Sequence, residues 1–286
     1  MAINRKYKNS IFTLLFNDPV LLRELYCALK GAAIPPDIPI SVNTLENVLF
    51  MDFINDISFE IGGKLVVLIE HQSTINPNMT LRLLFYYSKL MEKMIKSSNI
   101  YSRKQLSIPW PEFYVLYNGR APYPENVVLK LSDLFEKPRD LGLPENACPM
   151  LDLEVKIINI NEGKNIEIVN RCRKLSEYSV FTARVNASWD ETGDLETAIK
   201  SAITYCSRHD ILGEFLEIHG SEVLNMLLAE WNMEDAIAYA REEAREEGCE
   251  ERTLSIAGNM LAEGMDVEFI QKITGLDAKT IQGLNR

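Results

Sequence analysis

The residues best suited to do chemistry lie in one stretch, DISFEIGGKLVVLIEHQS (56–73). Asp56 opens one apolar, strand-like run, and Glu70, His71 and Gln72 close the next. Side chains alternate along a strand, so Glu70 and Gln72 share a face, His71 points from the other, and Asp56, Ser58 and Glu60 share a face of the preceding strand. The two carboxylates meet in one register only. A strict two-residue loop at Gly62-Gly63 pairs Asp56 with Ile69 and turns it away from Glu70, whereas one extra loop residue, or a bulge, sets Asp56 beside Glu70. Side by side, two carboxylates repel unless a cation compensates. Oxygen ligands without thiolates favour Mg2+ or Mn2+ over zinc. Such an ion could orient a water, lower its pKa and neutralise charge building on a phosphodiester. Gln72 could hold that water by its carbonyl and donate its amide to a phosphoryl oxygen. Polar residues at a strand end also mark plain emergence into solvent, and residue types alone leave both readings open.

The elements that must position these residues are legible on either side. Ile11, Leu14, Leu15, Leu21, Leu22, Leu25 and Leu29 form a helical stripe, broken at Asp18-Pro19 and ended by Gly31. Val48 to Phe53, Ile57 to Ile61 and Leu65 to Ile69 read as strands, the last two a hairpin. A helix follows over about 80–96, with Leu81, Leu84, Phe85, Ser88, Met91 and Ile95 as its inward row. EFYVLYNG (112–119) and LDLEVKIINI (151–160) are two further strands. Strand and helix signals together predict an α/β fold with a mixed sheet and helices on its faces. From 170 onward amphipathic helices take over, near 170–186, 194–208, 211–228 and 233–247. The terminal DVEFIQKITGLDAKTIQGL (266–284) is patterned as helix, turn and short helix, with Val267, Ile270, Leu276, Ile281 and Leu284 inward. The expected divisions are 1–165, 166–250 and 251–286.

Composition limits what the site can serve. The chain has 286 residues, 47% hydrophobic and 25% charged, with a formal net charge of −11. The charge is uneven: residues 1–135 carry 14 Lys and Arg against 12 Asp and Glu, the remainder 16 against 29. An acidic whole argues against indiscriminate polyanion binding, so any nucleic-acid site must be local and lie in the first half. Five scattered cysteines without a Cys-x-x-Cys pair suggest neither a disulfide framework nor a thiolate zinc site, and a cytoplasmic protein is expected. No segment reaches the roughly 18 apolar residues of a membrane span, so no membrane partner is expected.

The order NDISF (55–59), LIEHQS (68–73) and NPNMTLRLLFYY (76–87), with Met79, Arg82 and Tyr86 after EHQS, resembles the Rpn family of recombination-promoting nucleases and putative transposases, a branch of the PD-(D/E)XK nuclease superfamily. The resemblance runs from about Ser10 to Asp133. It implies a restriction-endonuclease-like core and Mg2+-dependent cleavage of DNA. It carries Asp56 and Glu70 over as metal ligands, the His71 main-chain carbonyl as a further ligand, and Gln72 as occupant of the superfamily's lysine position. A glutamine lacks the lysine's positive charge, which puts catalytic strength in question. Asn55 stands where the superfamily name has proline.

Other residues carry weaker readings. Arg82, Tyr86, Lys89, Lys93 and Lys96 recur at three- and four-residue steps, either as DNA or phosphate support or as a solvated face. The His71 side chain reads as a packed or hydrogen-bonded support, and Glu24 and Glu46 as exposed carboxylates that could add to a metal site. The terminal helices could read DNA through Lys279, Gln282 and Arg286 or mediate homo-oligomer formation. The expected protein is a metal-dependent DNA endonuclease; the alternative is a catalytically silent DNA-binding or assembly module with the same fold, and a third is a hydrolase of smaller phosphodiesters.

Overall fold

The computed structural model describes residues 11–43, 56–95, 100–136, 144, 147–263, 265–276 and 280–281, with backbone alone over 229–251. Val48 to Phe53, Glu46, Lys96, Lys279, Gln282, Leu284 and Arg286 lie outside the described residues. Two compact units are present, Met1–Leu228 and Ala229–Arg286.

The first unit is built on a six-stranded mixed sheet. In chain order the strands are β1 (Ile40–Val42), β2 (Ile57–Ile61), β3 (Leu65–Gln72), β4 (Trp110–Tyr117), β5 (Asn126–Lys130) and β6 (Glu154–Asn159). Their spatial order is β1-β2-β3-β4-β6-β5. The pairs β3·β4 and β4·β6 are parallel, and the outer pairs are antiparallel. β3 runs through the middle, and Val66, Val67, Leu68 and Ile69 are all buried, as a strand covered on both faces requires. β5, which joins the edge, was not foreseen. Its residues alternate between exposed and half-buried, a weak apolar signal.

The stripe at the amino end forms two short helices, α1 (Ile11–Leu15) and α2 (Pro19–Lys30), parted at the expected Asp18-Pro19 break. The break is chemical. Asp18 caps α2 by accepting from the amides of Val20 and Leu21 at 2.8 and 3.1 Å, Pro19 takes the first turn, and Gly31 closes the helix in the left-handed region. These helices cover one sheet face, where Tyr26 meets Phe59 edge-on. The other face is covered by α3 (Met79–Met94). Here Val66, Leu68, Phe113, Val115, Tyr117, Val155 and Ile157 pack against Met79, Leu83, Tyr86 and Leu90.

The inward row expected for α3 is corrected by this packing. Leu81 and Phe85 are each 39% exposed, Ser88 is exposed, and Leu84 and Met91 only flank the core. The helix carries two apolar rows at helical spacing, and the buried one is Met79, Leu83, Tyr86 and Leu90. That choice turns Arg82, on the flank of the buried row, toward Glu70, a carboxylate that could not be buried without a partner.

After β6 come α4 (Ile166–Arg171), α5 (Arg173–Thr192), α6 (Leu195–Arg208) and α7 (Gly213–Ala262). α7 joins the segments expected at 211–228 and 233–247, starting at Gly213; the intervening AEWN contains no glycine or proline to end a helix. In the second unit α8 (Val267–Thr274) is closed by Gly275 in the left-handed region. Ala257, Ile270 and Ile281 are buried together, with Val267 and Leu276 packed against them. Among the described residues, no helix is long and apolar enough to cross a membrane.

Candidate active site

The loop between β2 and β3 decides the site. Ile61 pairs with Leu65 and Ile57 with Ile69, so three residues, Gly62, Gly63 and Lys64, form the turn. Gly62 and Gly63 take φ of 59° and 64°, a region side chains disfavour, which is why this turn needs both glycines. The third loop residue is the extra one the carboxylates require. Continuing the register by one residue sets Asp56 across from Glu70 on the same face of the hairpin.

Hydrogen bonds knit this end of the hairpin. The Asp56 amide donates to Glu70 Oε1 at 3.2 Å, and the His71 amide donates to Asp56 Oδ2 at 2.7 Å. From α3, Arg82 Nη2 donates to Glu70 Oε2 and to the Tyr86 hydroxyl, each at 3.0 Å. Gln72 Nε2 lies 2.8 Å from Met79 Sδ, which also accepts from Arg82 Nη1 at 3.4 Å. A thioether accepts but has no proton to give, so the amide presents its NH2 to the sulfur and keeps its carbonyl oxygen for other partners. One turn of α3 thus fixes both the cation beside Glu70 and the orientation of Gln72.

The electrostatics follow from burial. Desolvation pushes the Asp56 carboxyl up to about 6, and the His71 amide and Arg82 offset only part of that rise. Glu70, 2% exposed, is held well above the carboxylate range by burial and then by the Asp56 charge, against the pull of Arg82. Burial works against the Arg82 charge as well, but Glu70 overrides it and keeps the guanidinium firmly protonated. Tyr86 is pushed up to about 12, by burial first and Glu70 second. When both carboxyls ionise, one negative charge remains that Arg82 does not compensate, among oxygen donors. This donor set suits a hard divalent cation.

The remaining predicted residues separate. Lys89 and Lys93 lie on the flank of α3 that carries Arg82, both exposed, with Lys89 paired to Glu92 at 3.0 Å. Tyr86 belongs to the buried row rather than to that flank. Glu24 is exposed on α2. Among the described residues there is no group of three or more His, Cys, Asp or Glu that could hold a metal ion, so the carboxylate pair stands without a third acidic or imidazole ligand. The His71 ring does face away from the pair, as the strand alternation predicts. It stacks on Phe12 with centroids 4.9 Å apart and planes 8° from parallel, and its Nε2 lies 3.1 Å from the Tyr178 hydroxyl. Burial drives its pKa down to about 3, which keeps it neutral. Phe12 and Tyr178 escaped the sequence reading. Tyr178 falls in the apolar row Leu175, Tyr178, Phe181, Val185 and reads there as ordinary core.

Residues 46–188 match the family described as Putative transposase, YhgA-like, and residues 250–286 match the C-terminal HTH domain of the Rpn/YhgA-like nuclease family. The chain belongs to the Rpn/YhgA-like nuclease family. The first match covers Asp56, Glu70, Gln72, Met79, Arg82 and Tyr178, the residues that form the hairpin end and its supports. The helix-turn-helix pattern expected at the carboxyl end coincides with the second match, where α8 packs through Ile270 against Ala257 and Ile281. No curated protein and no solved structure matches the chain.

Proposed function

We propose that this Rpn/YhgA-like chain is a DNA endonuclease that depends on Mg2+, or Mn2+ in its place, and hydrolyses phosphodiester bonds. The observation that carries the reading is the three-residue turn 62–64, through which Asp56 comes opposite Glu70 with Arg82 bonded to the latter. Asp56, Glu70 and the main-chain carbonyl of His71 would hold the ion. Bound there, it would supply an activated water and offset charge on the phosphate.

The chain's own groups then have separate tasks. Gln72, with its NH2 turned to Met79, holds the attacking water by its carbonyl oxygen. Arg82 balances one carboxylate charge and, 31% exposed, can also meet a phosphoryl oxygen. Lys89 and Lys93 meet phosphates further along the duplex, contacts that position without reading sequence. The His71 ring takes no proton in the reaction, being neutral and on the far face of the sheet. The C-terminal HTH domain gives DNA a second contact, which the acidic overall charge makes necessary for useful affinity. Cutting of this kind would promote recombination by supplying free ends.

The test is nicking of supercoiled plasmid by the full chain in Mg2+, compared with Asp56→Ala and Glu70→Ala. Both substitutions should abolish nicking while circular dichroism stays unchanged. Nicking that persists in both would remove the assigned mechanism.

A further inference from the structure

The site's strand end is pinned from the opposite side of the sheet, and the pin comes from a helix more than 100 residues away. His71 serves the site only through its backbone: its amide holds Asp56 Oδ2 at 2.7 Å, and its carbonyl is the ligand assigned above. Its ring contributes nothing on that face. It lies between the Phe12 ring of α1 and Tyr178 of α5, whose ring meets it edge-on with centroids 5.4 Å apart. The Tyr178 hydroxyl bonds His71 Nε2 at 3.1 Å and accepts from Asn118 Nδ2 at 3.4 Å. Asn118 in turn donates its backbone amide to the carbonyl of Gln72 at 3.0 Å. A single hydroxyl is thereby tied to His71 and, through Asn118, to Gln72, consecutive residues of the strand end. His71 Nδ1 is sealed without a hydrogen-bond partner, so Nε2 is the ring atom through which a polar contact can fix the imidazole.

We infer that Tyr178 is a positioning residue for the nuclease site, holding the His71 ring so that the His71 amide and carbonyl stay aimed at Asp56 and the metal position. This rests on the reading given under Proposed function. Groups that orient ligands from outside the coordination sphere shift metal affinity by about 10-fold or more when removed. The consequence for architecture is that α5, far beyond the hairpin in sequence, is part of the catalytic unit rather than an appendage.

The experiment uses the full chain and Tyr178→Phe, which removes one oxygen and keeps the ring. In metal-free protein, amide exchange at His71 should accelerate by about 10-fold in the variant, because the opening that exposes this amide becomes easier. In a second arm, calorimetric titration with Mn2+ should show an affinity about 10-fold weaker than wild type. In a His71→Phe background, which keeps a ring against Phe12 but no ring nitrogen, Tyr178→Phe should add nothing further to either readout. Phe12→Leu, which removes the stack from the other side, should move exchange in the same direction. Unchanged His71 exchange in Tyr178→Phe overturns the inference, even if the variant melts at a lower temperature. Accelerated exchange in a protein that binds no Mn2+ supports the positioning role and overturns the metal assignment instead.

Discussion

Two carboxyl groups held above their ordinary range make a prediction about stability that needs no nuclease assay. A carboxyl with a higher pKa in the folded than in the unfolded chain binds its proton more tightly when folded. Its contribution is therefore full below the unfolded value and is lost as pH rises through the folded one. For Asp56 the rise from 3.8 to about 6 corresponds to about 3 kcal/mol at 1.36 kcal/mol per unit. Asp56 keeps some contact with solvent, which reduces this to about 1–2 kcal/mol. Glu70 acts in the same direction, and part of its rise comes from the Asp56 charge itself. Asp56→Asn removes that charge while its side-chain oxygen can still accept from the His71 amide. In EDTA, Asp56→Asn should thus be more stable than wild type at pH 7 by about 1–2 kcal/mol, with the advantage vanishing below about pH 4. Urea unfolding of both proteins across that range measures the difference directly, and comparison at each pH cancels the titration of every other group. Adding Mn2+ at pH 7 should reverse the order, because the ion stabilises only a chain that binds it. A variant less stable than wild type at pH 7 without metal, or a difference that does not change with pH, would refute the account of the site as a destabilised carboxylate pair.

Arg82→Ala leaves Glu70 buried without its cation and should cost about 2–3 kcal/mol in urea unfolding at pH 7, most of it recovered in Arg82→Ala/Glu70→Gln. Met79→Leu keeps the core volume at a fully buried position, so stability should fall by less than about 1.5 kcal/mol. It removes the acceptor that orients Gln72, so plasmid nicking should drop about 10-fold in kcat with Mn2+ affinity unchanged; equal loss in a Gln72→Ala background would sink that role. Gly119→Ala would place Cβ 1.7 Å from the Ser73 carbonyl oxygen, backbone that cannot step aside. It should cost about 1–3 kcal/mol in urea unfolding and pull the 118–120 segment away from the end of β3.

What the sequence could and could not say about this site divides along physical lines. Residue types and strand alternation were enough to nominate Asp56, Glu70 and Gln72 and to turn the His71 ring to the far side, because alternation is a strict geometric rule. Register was a different matter. Gly62-Gly63 satisfies a two-residue hairpin as readily as a three-residue turn, and the choice falls to Lys64, whose side chain carries no signal for either. The inward face of α3 was misassigned because eight of the twelve residues from Met79 to Leu90 are apolar or aromatic, so periodicity supports two rows and cannot choose between them. The deciding term is the cost of burying Glu70 unpaired, which selects whichever rotation of the helix delivers Arg82. Tyr178 was beyond reach for a related reason. Its partner lies 107 residues away, and a tyrosine in an apolar helical row looks the same whether its hydroxyl meets solvent or a histidine behind the strand that carries Glu70. By contrast, the terminal Val267, Ile270, Leu276 and Ile281 were placed inward correctly, since their core is built from neighbours in sequence. Local periodicity therefore reports local cores well. A site made by pairing charges across the sheet is fixed by energies that no single segment contains.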